Sequence, residues 1–325
     1  MPRVTVICGG VGAARFLRGL VQVVDPASIT AVVNVADDTV LHGLEVSPDL
    51  DTITYTLAGA IDPDRGWGLA DESWQAMEQL RRYASANGID GRDDVGNDAA
   101  GWFSLGDRDL GTHLYRTSRR RAGATLSQVT GEIARTWGLD LSVLPVSDDP
   151  LRTRLTTVDG EQLGFQEYFV REQHAVAISE VRVEGAADAT PAPGVLDAIA
   201  DADAVVIAPS NPVVSIDPVL AVPGVRDAVV AARSRCVAVS PIVGGAALKG
   251  PADRLLRELG YEPSVSGVAR WYASLASVLV IDEVDAALAD EVRSSGIDAV
   301  VTPTVMSDPE TAAALARRCL HAVGA

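Results

Sequence analysis

An α/β fold built on a mainly parallel, doubly wound sheet is what this 325-residue sequence predicts, and three observations lead there. Short, continuous apolar runs alternate with helical periodicity, the pattern of strands buried on both faces. Three of those runs end in glycine, proline or small hydroxyl residues. The first, Val4 to Cys8, passes through Gly9-Gly10-Val11-Gly12 straight into a helix, which is how a Rossmann-like unit opens.

Taken in order, a helix over Ala13 to Val24 and a second buried strand over Ile29 to Val35 complete a right-handed βαβ unit. Gly10-Val11-Gly12 supplies the first two glycines of a dinucleotide fingerprint, but Arg15 stands where a third small residue would let helix and sheet close up. A nicotinamide oxidoreductase is therefore disfavoured, and a glycine turn able to seat a phosphate is retained. Asn34-Val35-Ala36-Asp37-Asp38 ends the second strand at the same rim, and Ser47-Pro48-Asp49-Leu50-Asp51-Thr52 feeds a helix that Asp49 or Asp51 is expected to cap. From Trp67 to about Asp140 the spacing is helical, with Trp74, Met77, Leu80 and Tyr83 expected in the core and a second helix near Leu126 to Trp137. The polar, glycine-rich stretch Asn87 to Asp98 reads as a loop.

Alternation over Thr153 to Val158, Gln162 to Val170 and Ala177 to Val183, with Asp159-Gly160 as a turn, predicts a small antiparallel excursion. The main fold then resumes with strands at Asp203 to Ala208, Arg235 to Val239, Ser277 to Ile281 and Asp298 to Val301. Helices are expected at Val225 to Arg233, Pro251 to Leu259, Ala286 to Ser294 and Pro309 to Val323. Residues 1–65 and 185–325 thus form a nucleotide-binding core, and 66–184 a helical and antiparallel insertion.

A net charge of -17 and a pI near 4.6 argue against nucleic acid or an anionic membrane as partner. An anionic small ligand would have to be held against that field by arginines, backbone dipoles or a divalent cation. Cys8, Cys236 and Cys319 are odd in number and far apart, no apolar run is long enough to span a bilayer, and no leader pattern opens the chain. A reduced, cytoplasmic protein is the expectation. His42, His113, His174 and His321 lack the spacing of a zinc site, and Lys249 is the only lysine in an arginine-biased chain.

Three groups of residues carry chemistry. The strand-ending loops Gly9 to Gly12, Pro209 to Pro212 and Ser240 to Gly245 offer backbone N–H groups and small hydroxyls, which suit a diphosphate or a nucleotide. Asp37, Asp38, Asp49 and Asp51 gather at the rim, where one or two carboxylates could hold Mg²⁺ and leave its other positions to water and phosphate. In Gly106-Asp107-Arg108-Asp109-Leu110-Gly111-Thr112-His113, a guanidinium between carboxylates could be aimed at a phosphate or could form a surface ion-pair cluster.

The ordered set Gly9-Gly10-Val11-Gly12-Ala13-Ala14-Arg15, Ser47 to Thr52, Gly106 to Asp109 with Thr112-His113, Ser147-Asp148-Asp149, Pro209 to Pro212 and Ser240 to Gly244 resembles the 2-phospho-L-lactate transferase family of coenzyme F-420 biosynthesis. The arginine- and alanine-rich composition is similar to its actinobacterial phosphoenolpyruvate transferase branch, from which the longer 87–98 stretch departs. The resemblance implies transfer of a phosphoenolpyruvyl group from enolpyruvoyl-2-diphospho-5'-guanosine to the ribityl hydroxyl of the deazaflavin Fo. GMP and dehydro coenzyme F-420-0 would be the products, Mg²⁺ the cofactor, and a homodimer the assembly.

By the same carry-over, Asp51 and Arg108 would bind Fo, with Asp49 beside them. Chemistry then distributes the remaining roles. Asp37, Asp49 or Asp51 would hold Mg²⁺, Arg108 with Gly9, Gly10 and Gly12 the diphosphate, and Asp49 or Asp51 the ribityl hydroxyl. Asn34, Thr112 and His113 would line the substrate site, and Ser210, Asn211, Ser240 and Gly244 would meet the guanosine. The competing reading is a regulatory nucleotide-sugar-binding module without transfer.

Overall fold

The computed structural model describes residues 2–88 and 102–325. β1 (Val4–Cys8) leads through Gly9 into α1 (Gly10–Leu20), and β2 (Ile29–Val33) pairs with β1 in parallel, Val4 opposite Ile29. A hairpin of β3 (Thr39–Leu41) and β4 (Leu44–Val46) delivers the chain to α2 (Pro48–Leu57). Next come α3 (Gln75–Ala86), α4 (Asp109–Arg121) and α5 (Leu126–Thr136), before β5 (Ser142–Pro145) joins the outer side of β2. β6 (Arg152–Thr157), β7 (Gln162–Gly164) and β8 (Ile178–Glu184) make the small antiparallel sheet, in the order β7-β6-β8.

α6 (Val195–Asp201) returns the chain to the main sheet at β9 (Ala204–Ile207), followed by α7 (Asp217–Leu220), α8 (Val225–Ala231) and β10 (Cys236–Val239). A second hairpin, β11 (Ile242–Val243) and β12 (Ala246–Ala247), precedes α9 (Ala252–Glu258) and α10 (Val265–Tyr272). β13 (Val278–Ile281), α11 (Ala289–Ser294), β14 (Asp298–Val301) and α12 (Pro309–Ala322) finish the chain.

The seven-stranded sheet runs β14-β13-β10-β9-β1-β2-β5, with every pairing parallel. Strand order reverses at β1 and β9, and in open α/β sheets that is where a crevice forms outside the carboxyl ends of the strands. All residues of β1, β9, β10 and β13 are buried, so each reads as an uninterrupted apolar run apart from Thr5. Removing such valines and isoleucines from water contributes about 1.5–3 kcal/mol each, which anchors the rim on a rigid base.

Several boundaries differ from those the sequence predicts. α1 begins at Gly10, not Ala13, and ends at Leu20, because Gly9 in extended conformation is its N-cap. Neither Asp49 nor Asp51 caps α2; both lie inside its first turn, behind Ser47 and Pro48. The strand expected over Gln162 to Val170 stops at Gly164, and Glu167–Arg171 is a helical turn that swings Phe169 toward the main sheet's rim. α4, α6, α7 and α10 are additional helices. β5 lies within residues 66–184, so that stretch also contributes an edge strand of the central sheet. Met77 is buried, but Tyr83 is 60% exposed, on the solvent side of α3. The loop predicted at 87–98 lies, beyond Gly88, outside the described residues.

All three cysteines are free and buried. Among the described residues, no helix is long and apolar enough to cross a membrane.

Candidate active site at the sheet rim

A cavity of about 360 Å³ opens where the strand order reverses. Gly9, Gly10, Gly12, Asp37, Asp49, Asp51, His113, Ser210, Asn211 and Ser240 all line it, drawn together from six separate stretches of chain. Gly10 has φ +73, a left-handed conformation that favours glycine and turns the backbone from β1 into α1. Gly12 is required for a different reason: a Cβ there would lie 2.3 Å from the Pro209 carbonyl oxygen, so the two loops can touch only without a side chain.

On the sheet side, Asn34 is fully buried and its Nδ2 donates to Asp37 Oδ2 at 3.1 Å and to Asp49 Oδ2 at 3.0 Å, holding two carboxylates side by side. Asn34 Oδ1 accepts from Ala36 N at 2.9 Å, which fixes the orientation of the amide. Asp49 also accepts from the backbone N–H of Gly10, so the positive end of α1 already faces a carboxylate. Burial raises the Asp49 pKa to about 6 against the pull of Asn34 and Gly10. Burial, and then the charge of Asp49, push Asp37 well above the usual carboxylate range. Asp37 Oδ1 is buried without a hydrogen bond. No cation among the described residues pairs with either group.

The opposite wall is organised differently. Asp51 forms a buried ion pair with Arg116, whose Nη1 also donates to Glu45 O at 3.3 Å and lies 3.3 Å from His113 Nδ1. His113 Nε2 is 3.3 Å from Asp109 Oδ2, and the Tyr55 hydroxyl donates to Asp109 Oδ1 at 2.6 Å. Burial opposes the Asp109 charge, but His113, Tyr55 and Arg116 together hold its pKa below the usual value. For Arg116 the desolvation cost is outweighed by Asp51, and its pKa rises. This network arises because Asp109, His113 and Arg116 share one face of α4 at i, i+4 and i+7.

Four predicted residues stay outside the cavity lining: Asn34, which is fully buried behind Asp37 and Asp49, and Arg108, Thr112 and Gly244. Arg108 lies at the start of α4 with its Nη1 donating to Ala70 O at 2.6 Å, while Asp107 caps α3 through Gln75 N and Ala76 N at 3.0 Å each. The Asp107-Arg108-Asp109 trio is therefore not one cluster: the turn into the helix sends Asp109 inward and its neighbours elsewhere. Thr112 turns its hydroxyl to Tyr55, and Gly244 donates its N–H to Asp285 Oδ2 at 2.9 Å. Ser210, by contrast, donates to Gly9 O at 2.8 Å, and Ser240 Oγ bonds both polar backbone groups of Ile242.

Sequence reasoning missed Arg116, the aromatics Trp67, Phe103, Phe165 and Phe169, and two cations that line the cavity, Arg15 and Lys249. Arg116 becomes legible once α4 is recognised, because an arginine on an inward helix face needs a buried acid. The aromatics come from distant segments and carry no local signal.

Mg²⁺ takes oxygen ligands and is commonly bound through one or two carboxylates plus water and substrate phosphate. Asp37 and Asp49, adjacent, buried and uncompensated, fit that requirement; Asp51, saturated by Arg116, fits it poorly. Among the described residues no group of three or more His, Cys, Asp or Glu is arranged to hold a metal, so ligand or water would have to complete the shell.

Fold and cavity together define an α/β protein with a cavity at the carboxyl rim of a parallel sheet, against the start of the first helix. Within that class the chain belongs to the family described as "2-phospho-L-lactate transferase CofD", which matches residues 4–295. It is 44% identical over 323 residues to a phosphoenolpyruvate transferase of Streptomyces griseus subsp. griseus, covering 98% of each chain. A phosphoenolpyruvate transferase of Nocardia farcinica is 40% identical over 329 residues, covering 99% of this chain and 95% of that one. The crystal structure of a UPF0052-family protein from Bacillus halodurans superposes with a TM-score of 0.61 at 19% identity over 98% of each chain, a likeness of fold.

Proposed function

We propose that this protein is a phosphoenolpyruvate transferase that moves the phosphoenolpyruvyl group of enolpyruvoyl-2-diphospho-5'-guanosine onto the terminal ribityl hydroxyl of Fo. GMP leaves and dehydro coenzyme F-420-0 is formed, in the cytoplasm and by a homodimer. The observation that carries the proposal is the Asn34-clamped pair Asp37 and Asp49, buried without a counter-charge at the N terminus of α1 and lining the cavity at the sheet rim. Its support from relatives is the near-complete coverage of phosphoenolpyruvate transferases at 40–44% identity.

Attack of an alcohol on a diphosphate passes through a loose transition state, so positioning and charge neutralisation matter more than a strong base. Asp37 and Asp49 would hold Mg²⁺, which supplies neutralisation of the phosphate oxygens. Asp51, ion-paired with Arg116 and lining the cavity, would accept a hydrogen bond from the ribityl hydroxyl and orient it. Arg15 and the backbone of Gly9 to Gly12 would meet the diphosphate, and Ser210, Asn211 and Ser240 the guanosine. Trp67, Phe103, Phe165 and Phe169 offer flat apolar walls for the deazaflavin.

Incubating the purified protein with Fo, the guanosine-linked donor and Mg²⁺ tests this directly. GMP release with a product of the dehydro coenzyme F-420-0 mass is expected, and chelation should stop it. Donor binding without GMP release would instead establish the regulatory module, and faster turnover of the lactyl donor would reassign the transferred group.

A further inference from the structure

Lys249 stands, exposed to solvent, in the segment between β12 and α9, and it lines the cavity. Its Nζ lies 3.1 Å from the point that a Cβ on Gly66 would occupy, and Val11 Cγ1, on the first turn of α1, lies 3.6 Å from that same point. The ammonium therefore lies beside the Gly66 turn and near Val11 at the start of α1. It makes no hydrogen bond or ion pair among the described residues. Arg15, on the same helix and lining the same cavity, makes none either.

Two unpaired cations beside the positive end of a helix repel one another, and here they do so in a chain with 44 acidic residues and only 27 basic ones. Carboxylates were available in excess to neutralise them. Asp49, the acid at that end of the helix, is instead turned to Asn34 and Gly10. The polarity of this corner is thus opposite to that of the Asp37 and Asp49 wall, and an anion spanning the two would satisfy both through its own oxygens and a cation on the acidic side.

We infer that Lys249 is a substrate-contacting residue that grips the diphosphate of the donor, closing on it from the segment opposite α1. The inference rests on the transferase reading for the identity of the anion. It assigns the contact to Lys249, not to Arg108, whose guanidinium bonds Ala70 O. A compact ammonium suits this position because it can meet phosphate oxygens from any direction as substrate enters and product leaves.

Because Lys249 is the sole lysine, its ε-amine can be followed without interference. Acetylation with acetic anhydride, read by mass spectrometry against the α-amino group as internal reference, should be slowed at least about tenfold by inorganic pyrophosphate or GDP in the presence of Mg²⁺, and little by Fo alone. In parallel, calorimetry should show Lys249→Ala binding pyrophosphate about tenfold to a hundredfold more weakly than the unaltered protein, with Lys249→Arg restoring most of the affinity and all three sharing one circular dichroism spectrum. Unaltered pyrophosphate affinity in Lys249→Ala, or labelling unchanged by a bound diphosphate, would overturn the assignment and leave the transferase reading standing. Failure of the unaltered protein to bind either pyrophosphate or GDP would overturn both.

Discussion

The two walls of the cavity use the same residue type to opposite ends. On one, Asp37 and Asp49 are pressed together by Asn34 with nothing positive to balance them. On the other, Asp51 and Asp109 each lie against a basic side chain, Arg116 and His113, although Arg116 Nε is left without a hydrogen bond. A network whose acids already face basic groups gains little from a further cation, so it serves to position. An uncompensated one is costly until something cationic arrives, so it serves to bind.

If that contrast is right, the largest effect belongs to the uncompensated wall. Asp49→Asn should lower GMP release by at least about a hundredfold, since one of the two groups assigned to the cation is gone. The same change should raise the melting temperature of the protein in chelator, because a buried charge has been removed while the hydrogen-bonding shape is kept. A metal-free variant less stable than its parent would break the comparison, however inactive it was.

Next in size is the answered wall. Arg116→Ala removes the guanidinium paired with buried Asp51, and should cost about 3–5 kcal/mol in urea denaturation. The double variant Arg116→Met with Asp51→Asn should recover much of that stability without recovering activity. Equal destabilisation by the single and the double change would show that Arg116 acts through packing alone.

How far these walls could be read in advance depends on how local their signals are. The alternation of apolar runs and helical spacing is local, so the order of the strands from β9 to β14 was legible to within about a residue at most ends. Asp37, Asp49 and the glycine turn were legible as site residues because strand ends and helix starts of a parallel sheet meet at one rim. β5 was missed because four residues, Ser142–Pro145, with a proline at the end carry too little pattern to separate from the loop around them. Arg108 stands out in the sequence because its acidic neighbours are adjacent to it, whereas Arg116 carries no such signal, its partner being 65 residues away. Aim is set by helical phase: each residue along α4 is rotated by about 100° from the last, so Arg108 and Asp109, adjacent in sequence, point in different directions.

A titration sharpens the comparison further. Asp49 ionises at about 6 in the folded protein, burial being the main cause, against about 4 in an unfolded chain. Between those values the folded state holds the extra proton, so stability must fall as pH rises through about 4 to 6 and stay low above it. The loss should be on the order of 2 kcal/mol in chelator, be absent in Asp49→Asn, and be reversed by Mg²⁺ at neutral pH. The answered wall has the opposite sign: Asp109, held below its usual pKa, stabilises above about pH 4 and loses that contribution only on further acidification.

The smallest effect is expected where the two walls are not involved at all. Arg108 is bonded to a backbone carbonyl at the surface, and Arg108→Ala should change stability by less than about 0.5 kcal/mol. Its effect on kcat should be under about threefold, because a guanidinium that bonds Ala70 O and does not line the cavity stabilises neither phosphate nor hydroxyl. Should Arg108→Ala instead abolish turnover while Lys249→Ala retains it, the start of α4 must rotate on substrate binding, bringing Arg108 inward. The cavity would then exchange which of its two sides is fixed and which one closes.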